Sequence, residues 1–453
     1  MKKIFIPALL IATALSGAAH AEDIFSAMSS AYDTNPTLQA QRAYLRSIDE
    51  NVAIAKSGYR PNISLNGSYS DSNINDDSNP SNEGGTTKSI SAKVSQSVFS
   101  GFSTLNSVKS ADSLVRSEQN NLLNTEQTVL LDASTAYLDV LRDAAIVNLQ
   151  KNNEKLLKKR LDETLERFNV GEVTRTDVSQ ARARYSSAKA DRISSEGDYE
   201  ASKAVYAKII GKAPDSKLTE PANMDKLLPK NYVEALDYAL VSNYSIRQAK
   251  HLMDSKTYDV ASNTGALLPQ VTLDGVASKS KNNTSQYSGD GTVDNLEWGV
   301  NMTVPLYNSG ETRAKIRQSK YLKWQAQEKV MEAERQVRSD VKSAWEYVST
   351  NKARIKSIKD QVKANEVALD GVQKEEALGN RTILDVLNAY QELLNSNVEE
   401  VKAKRDYYVS SMQLLLAMGK LTAQDLNLKV DLYDAKKHYK ETRDKWLSLS
   451  VDK

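Results

Sequence analysis

The sequence predicts a mainly α fold with a β-barrel contribution, built as a tandem repeat of long coiled-coil-like helices with two membrane strands in each repeat. Three observations predict it. Residues return at a fixed distance of 208 positions along most of the chain. Residues 102–170 and 311–370 hold neither Gly nor Pro. Four runs of about ten residues alternate apolar and polar side chains, the length a tilted membrane strand needs.

The N-terminus reads as a signal peptide over residues 1–21. Lys2 and Lys3 precede an apolar Ile4–Leu15, and Ala19-His20-Ala21 fits a cleavage site, so the mature chain is expected to begin at Glu22. Without Lys2 and Lys3, the 60 basic residues fall to the number of the 58 acidic ones, and no basic footprint for nucleic acid remains. The absence of cysteine excludes disulfides, thiolate metal sites and a lipidated N-terminal cysteine. Only His251 and His438 stay in the mature chain, far apart, so neither a metal nor another cofactor is expected. No later stretch approaches the ~18 apolar residues of a membrane helix, so any membrane crossing falls to strands.

The repeat sets the domain plan. LGNRTILDVLNA (378–389) echoes VGEVTRTDVSQA (170–181), and Asn35, Pro61, Leu65, Ala136 and Val140 return as Asn243, Pro269, Leu273, Ala344 and Val348. No gap is needed between 31–181 and 239–389, which marks a duplication. The expected units are residues 22–210, a connector at 211–231 holding Pro214, Pro221 and Pro229, a second copy at 232–418, and a C-terminal segment at 419–453.

Within each copy a helix ends at proline, Pro61 or Pro269, because the residue before proline disfavours helix. Strands are expected at about 62–70 and 89–99, and again at about 270–278 and 295–305. Ile63, Leu65, Gly67 and Tyr69 alternate with polar residues, as do Leu296, Trp298, Val300 and Met302. Polar loops, 71–88 and 279–294, separate the strands of each pair. A soluble β-layer with one wet face satisfies the same alternation. The long helices follow: Val330, Val337, Val341, Trp345, Val348, Ile355, Ile358 and Val362 recur at coiled-coil steps. Unbroken, such helices reach about 90–100 Å at 1.5 Å per residue and need neighbours along their length.

Gly171 and Gly379 stand where these helices end, suited to the left-handed position after a helix. Thr174 to Asp177 and Thr382 to Asp385 then read as capping boxes, with the carboxylate at the positive end of a helix. Asn388 follows Asp385 by three residues and shares its face, while Arg381 precedes the cap. Both aspartates are explained as caps alone; the same residues at a bundle tip also suit a pore. Four strands per chain do not close a membrane barrel, whose smallest form has eight, and an open edge in lipid leaves backbone groups unpaired. Two chains give eight strands with a filled interior and three give twelve with a wet lumen; the polar strand faces favour three. Three Asp385 side chains then surround one axis.

The sequence resembles the TolC family of outer-membrane efflux and secretion channels. TNPTL (34–38), TAYLDVL (135–141), RFNVGEVTRTDVSQARARY (167–185), NMTVPLYNSG (301–310) and GNRTILDVLNA (379–389) carry the resemblance over nearly the whole mature chain. It implies a homotrimer whose twelve-stranded barrel sits in outer-membrane lipid and continues as an α-helical periplasmic tunnel. The connector and the C-terminal segment would form a belt around that tunnel. It implies a passive exit duct for multidrug efflux, type I protein secretion or both, recruited by a periplasmic adaptor to an inner-membrane RND or ABC transporter, with no chemistry and no cofactor of its own. By position, Gly171 and Gly379 match the adaptor-docking turns, Arg381, Thr176 and Asp177 the gate latch, and Asp385 and Asn388 the innermost constriction. The family pattern there is D-V-L-D, whereas this chain reads Asp385-Val386-Leu387-Asn388; Glu376 stands where a latch tyrosine is expected. The competing reading is an exported trimeric coiled-coil structural protein or adhesin without a pore, which leaves the paired strands unexplained.

Overall fold

The computed structural model describes residues 22–76, 79–215, 217–222, 224–284 and 291–451, with side chains of 73–84 and 283–284 left aside. The expected signal peptide, 1–21, lies outside the described residues. Helices α1 (Ile24–Thr34) and α2 (Pro36–Lys56) lead to strands β1 (Asn62–Asp76) and β2 (Asn79–Ser100), then to α3 (Ser103–Asn169) and α4 (Arg175–Ile210). The order then repeats as α5 (Tyr232–Ser242), α6 (Tyr244–Gly265), β3 (Gln270–Thr284), β4 (Gly291–Thr303), α7 (Glu311–Ala377) and α8 (Ile383–Met418), followed by a short α9 (Lys437–Thr442). Helices α3 and α7 have 67 residues each, about 100 Å of helix.

The duplication reaches individual hydrogen bonds. Asn35 caps α2 and Asn243 caps α6, each accepting from the N–H two residues on. Their amides also donate 2.9 Å bonds to Ile209 O and Ala417 O, pinning each short helix pair to the end of α4 or α8. Entry into α3 and α7 runs through paired left-handed residues, Gly101–Phe102 and Ser309–Gly310. At Gly101 glycine is required twice over, since a Cβ there would sit 2.1 Å from Gly265 O.

The four strands form one antiparallel sheet in the order β1-β2-β3-β4, so the two hairpins join through β2 and β3. Directly opposed residues share a face. One face carries the rows Ile63–Val94–Gly275–Trp298 and Leu65–Ala92–Ala277–Leu296; the other carries Asn66–Ser91–Ser278–Asn295. The apolar face is uncovered, with Leu296 80 % and Trp298 78 % exposed. The strands outrun the sequence expectation. Much of the expected loops at 71–88 and 279–294 is paired strand, with Ser72 opposite Gly85 and Lys281 opposite Thr292. Backbone pairing needs no apolar alternation, so a polar hairpin continues past the point where the side-chain pattern stops. The fourth strand stops at Thr303, short of the expected 305, where Pro305 removes a donor.

The main core sits at the waist. Met28, Leu38 and Leu45 pack with Leu130, Tyr137, Tyr206, Met412 and Leu415, and with Leu421 and Leu428 beyond α8. The connector and the C-terminal stretch are held to it by polar anchors. Tyr137 Oη lies 2.7 Å from Thr219 O and 2.8 Å from Glu22 O, and Glu126 accepts the Ala423 N–H at 2.8 Å. Toward the far end only small clusters remain, such as Leu157–Ala188–Leu387 and Ile358–Val362–Ala403. Among the described residues no helix is long and apolar enough to cross a membrane.

Candidate functional site: the paired helical tips

Two hairpins, α3–α4 and α7–α8, end side by side far from the sheet. Each turn is the same object. Gly171 and Gly379 adopt φ of 80° and 78°. The N–H groups of Gly171 and Glu172 close onto Phe168 O and Arg167 O, and those of Gly379 and Asn380 onto Glu376 O and Glu375 O, all within 2.9–3.0 Å. Space around both glycines is open, and the neighbouring Val170 and Leu378 are 72 % and 77 % exposed.

The next residues start α4 and α8 with complete capping boxes. Thr174 Oγ1 accepts from Asp177 N at 3.3 Å while Asp177 Oδ2 accepts from Thr174 N at 2.9 Å. For Thr382 and Asp385 the distances are 3.2 Å and 3.0 Å. The bonds from Thr382, with Arg381 adding its charge, hold the Asp385 carboxyl below the usual carboxylate range. Asp385 is therefore both a cap and a standing negative charge.

Arg381 bonds its own hairpin: its Nε donates to Glu375 Oε2 at 2.8 Å. Neither it nor the exposed Thr176 bonds Asp177 within one chain, so the three residues matched to the latch are not joined there. Other residues link the two hairpins, and the sequence did not single them out as links. Arg167 on α3 donates to Glu376 on α7 at 2.6 Å and to Glu172 at 3.2 Å. Arg160 reaches Tyr390 Oη at 3.3 Å, which also accepts from Gln373. Arg184 on α4 donates through Nη2 to Asn388 Oδ1 at 2.8 Å. The sequence flagged Glu376 only as a departure from a tyrosine pattern; a pair spanning separate helices leaves no local spacing to read.

The tip is thus a charged, exposed cluster on thinly packed helix ends, with Asp385 and Asn388 on one face and Arg184 against Asn388. Such an arrangement concentrates charge of both signs at one end of the helices, with the two hairpins joined by side-chain bonds. Among the described residues no group of three or more His, Asp and Glu is placed to hold a metal.

The outer membrane efflux protein family profile matches residues 27–212 and 235–420, two stretches with the spacing of the duplication. The chain is 38 % identical over 442 residues to the outer membrane efflux protein BepC of Brucella suis biovar 1 (strain 1330), covering 97 % of this chain and 95 % of that one. It is 27 % identical over 442 residues to the outer membrane protein TolC of Escherichia coli (strain K12), covering 94 % and 88 %. Among solved structures, the CmeC outer membrane channel of Campylobacter jejuni superimposes with a TM-score of 0.79 at 16 % identity, over 93 % of this chain and 89 % of that chain.

Proposed function

Since the chain belongs to the outer membrane efflux protein family, an outer-membrane channel class that extends into the periplasm, we propose that three copies form the working duct. Each copy contributes four strands to a twelve-stranded barrel and its long helices to a periplasmic tunnel closed at the tips. The single observation that supports this best is the open, one-sided sheet. Strands β1 and β4 each have an unpaired edge and the apolar face is bare, a state that lipid and neighbouring copies resolve together. The helical layer shows the same need. Helices α2, α3, α6 and α7 pack in that order, and the outer pair expose Tyr44 and Ile54 at one side and Tyr321 and Trp324 at the other.

In this reading the duct is passive and not an enzyme. Asp385 and Asn388 form the constriction, with Arg184 bonded to Asn388 as a cationic neighbour. Arg381, Thr176 and Asp177 latch across adjacent copies, while Arg167–Glu376 ties the two hairpins of one copy. A periplasmic adaptor docks on the turns at Gly171 and Gly379, linking the duct to an inner-membrane RND or ABC transporter that supplies the energy. The cargo is small toxic molecules, with type I protein export open to the same duct.

The test is complementation of a host lacking its efflux duct but keeping pump and adaptor. The native chain restores drug resistance. A Val170→Asp/Leu378→Asp variant, altered only at exposed turn positions, still inserts as a trimer but restores none. Full resistance from that variant would remove the tips as the docking site; no resistance from the native chain with any matched adaptor and pump would remove the duct assignment.

A further inference from the structure

A cavity of about 480 Å³ lies between α3, α6 and the C-terminal α9, well away from the tips. Arg116, Arg247, Lys436, Lys440 and Arg443 line it, five cations in a chain whose charges otherwise nearly balance. The side chains of Arg116, Arg247, Lys436 and Lys440 make no hydrogen bond or ion pair among the described residues. Arg247 only faces the Tyr244 ring, at 5.7 Å.

The sole lining carboxylate is already engaged. Asp112 Oδ1 accepts the Tyr439 hydroxyl at 2.6 Å, and Arg443 donates to the same hydroxyl at 3.0 Å. Burial, with Asp112 beside it, pushes the Tyr439 hydroxyl up to about 12, so it stays a neutral donor. His251 also lines the cavity; burial, aided by Arg116 and Arg247, lowers its pKa against the opposing pull of Asp254. Outside the lining, Asp254 lies 3.7 Å from His251 and Asp444 lies 3.7 Å from Arg443. A second hollow continues from this one past Arg247 and Lys436 to Arg42, whose Nη2 is buried without a hydrogen-bond partner; Glu126 is the carboxylate in its lining.

Five cations face one concave space against only two carboxylates, Asp112 and Asp444, and this excess of positive charge favours an anion among them. Guanidinium forks from two helices and ammonium groups from a third segment match an oxyanion with several negative oxygens, and the volume suits a group of diphosphate or sugar-phosphate size. We propose that this cavity is a binding site for a multiply charged oxyanion, seated by Arg116, Arg247, Lys436, Lys440 and Arg443. The site joins α9 to α3 and α6, so its occupant fastens the C-terminal segment to the tunnel wall.

Titration calorimetry on the purified, detergent-held protein at low salt tests the site, with inorganic pyrophosphate and citrate as separate probes. Tight pyrophosphate binding with weak citrate binding identifies a phosphate-class ligand, the reverse a polycarboxylate; either supports the site. Arg247→Gln/Lys440→Gln should weaken the favoured probe at least tenfold, whereas Lys329→Gln/Arg338→Gln on α7, the same loss of charge elsewhere, should leave it within twofold. Both probes failing to bind the native protein would overturn the proposal. So would equal weakening by the two double variants, which would reduce the effect to diffuse surface charge.

Discussion

Asp385 carries two jobs that separate experimentally. As a cap it organises the start of α8; as a charge, in the proposed constriction, it would act on ions passing the tip. Like charges crowded near one axis attract cations, but Arg184, held on Asn388, returns positive charge to the same level. The native pore is therefore expected to prefer cations only weakly. Asp385→Ala should lower that preference further, Arg184→Gln should raise it, and Asn388→Asp should show its full effect, with block by trivalent cations, only when combined with Arg184→Gln. Reversal potentials in a salt gradient read all four. Selectivity unmoved by any of them would leave Asp385 a cap and Arg184 a surface residue. The Arg167–Glu376 pair makes a second expectation. Arg167 is 43 % exposed and Glu376 12 %, so each copy contributes only about 0.2–1 kcal/mol. In the proposed trimer, three copies opening together would bias the closed tip by ~0.6–3 kcal/mol, about three- to 150-fold in open probability. Arg167→Gln should raise antibiotic leakage by an amount in that range without loss of trimer.

At the level of elements, the sheet and the waist make opposite demands on charge. Leu296 sits in the apolar row and Asn295 beside it faces the other way. Leu296→Arg should cost about 2–4 kcal/mol in a membrane strand and deplete the inserted protein, while Asn295→Arg should be tolerated. Equal depletion by both would contradict a lipid-facing row. At the waist, burial raises the Glu126 carboxyl above its ordinary value although Ala423 N–H bonds it. A raised folded-state value means that this group's contribution is most favourable below the ordinary carboxylate range. That contribution is lost as pH rises from the ordinary value through the raised one. Glu126→Gln keeps an acceptor for Ala423 and sheds the buried charge, so its melting temperature at neutral pH should match or exceed the native one. Glu126→Ala should lose about 1–3 kcal/mol by orphaning that N–H.

Elements also show what the sequence made legible. The turns at Gly171 and Gly379 and the boxes at Thr174 and Thr382 could be read because each depends on residues a few positions apart. The strand ends are not legible in the side-chain pattern because pairing between Ser72 and Gly85 rests on backbone groups that every residue carries. The links Arg167–Glu376 and Arg184–Asn388 stayed hidden because their partners are separated by 209 and 204 positions and meet only once both hairpins stand side by side.

For the whole molecule, duplication and oligomerisation answer one problem. A single chain places its mass in a concentrated waist, leaves two sheet edges open and sends four helix ends into water with little packing. In the proposed trimer, copies around an axis would close the edges, and the thin packing near the tips would let them part. That distribution supports a conduit held firmly at the membrane and waist and regulated at the far end. The most direct measurement is single-channel recording of the purified assembly in a planar bilayer, native beside Arg381→Ser. Discrete conductance steps are predicted from both, small or infrequent in the native protein and larger or more frequent in the variant. A folded trimer of each that leaves the bilayer silent would contradict the account.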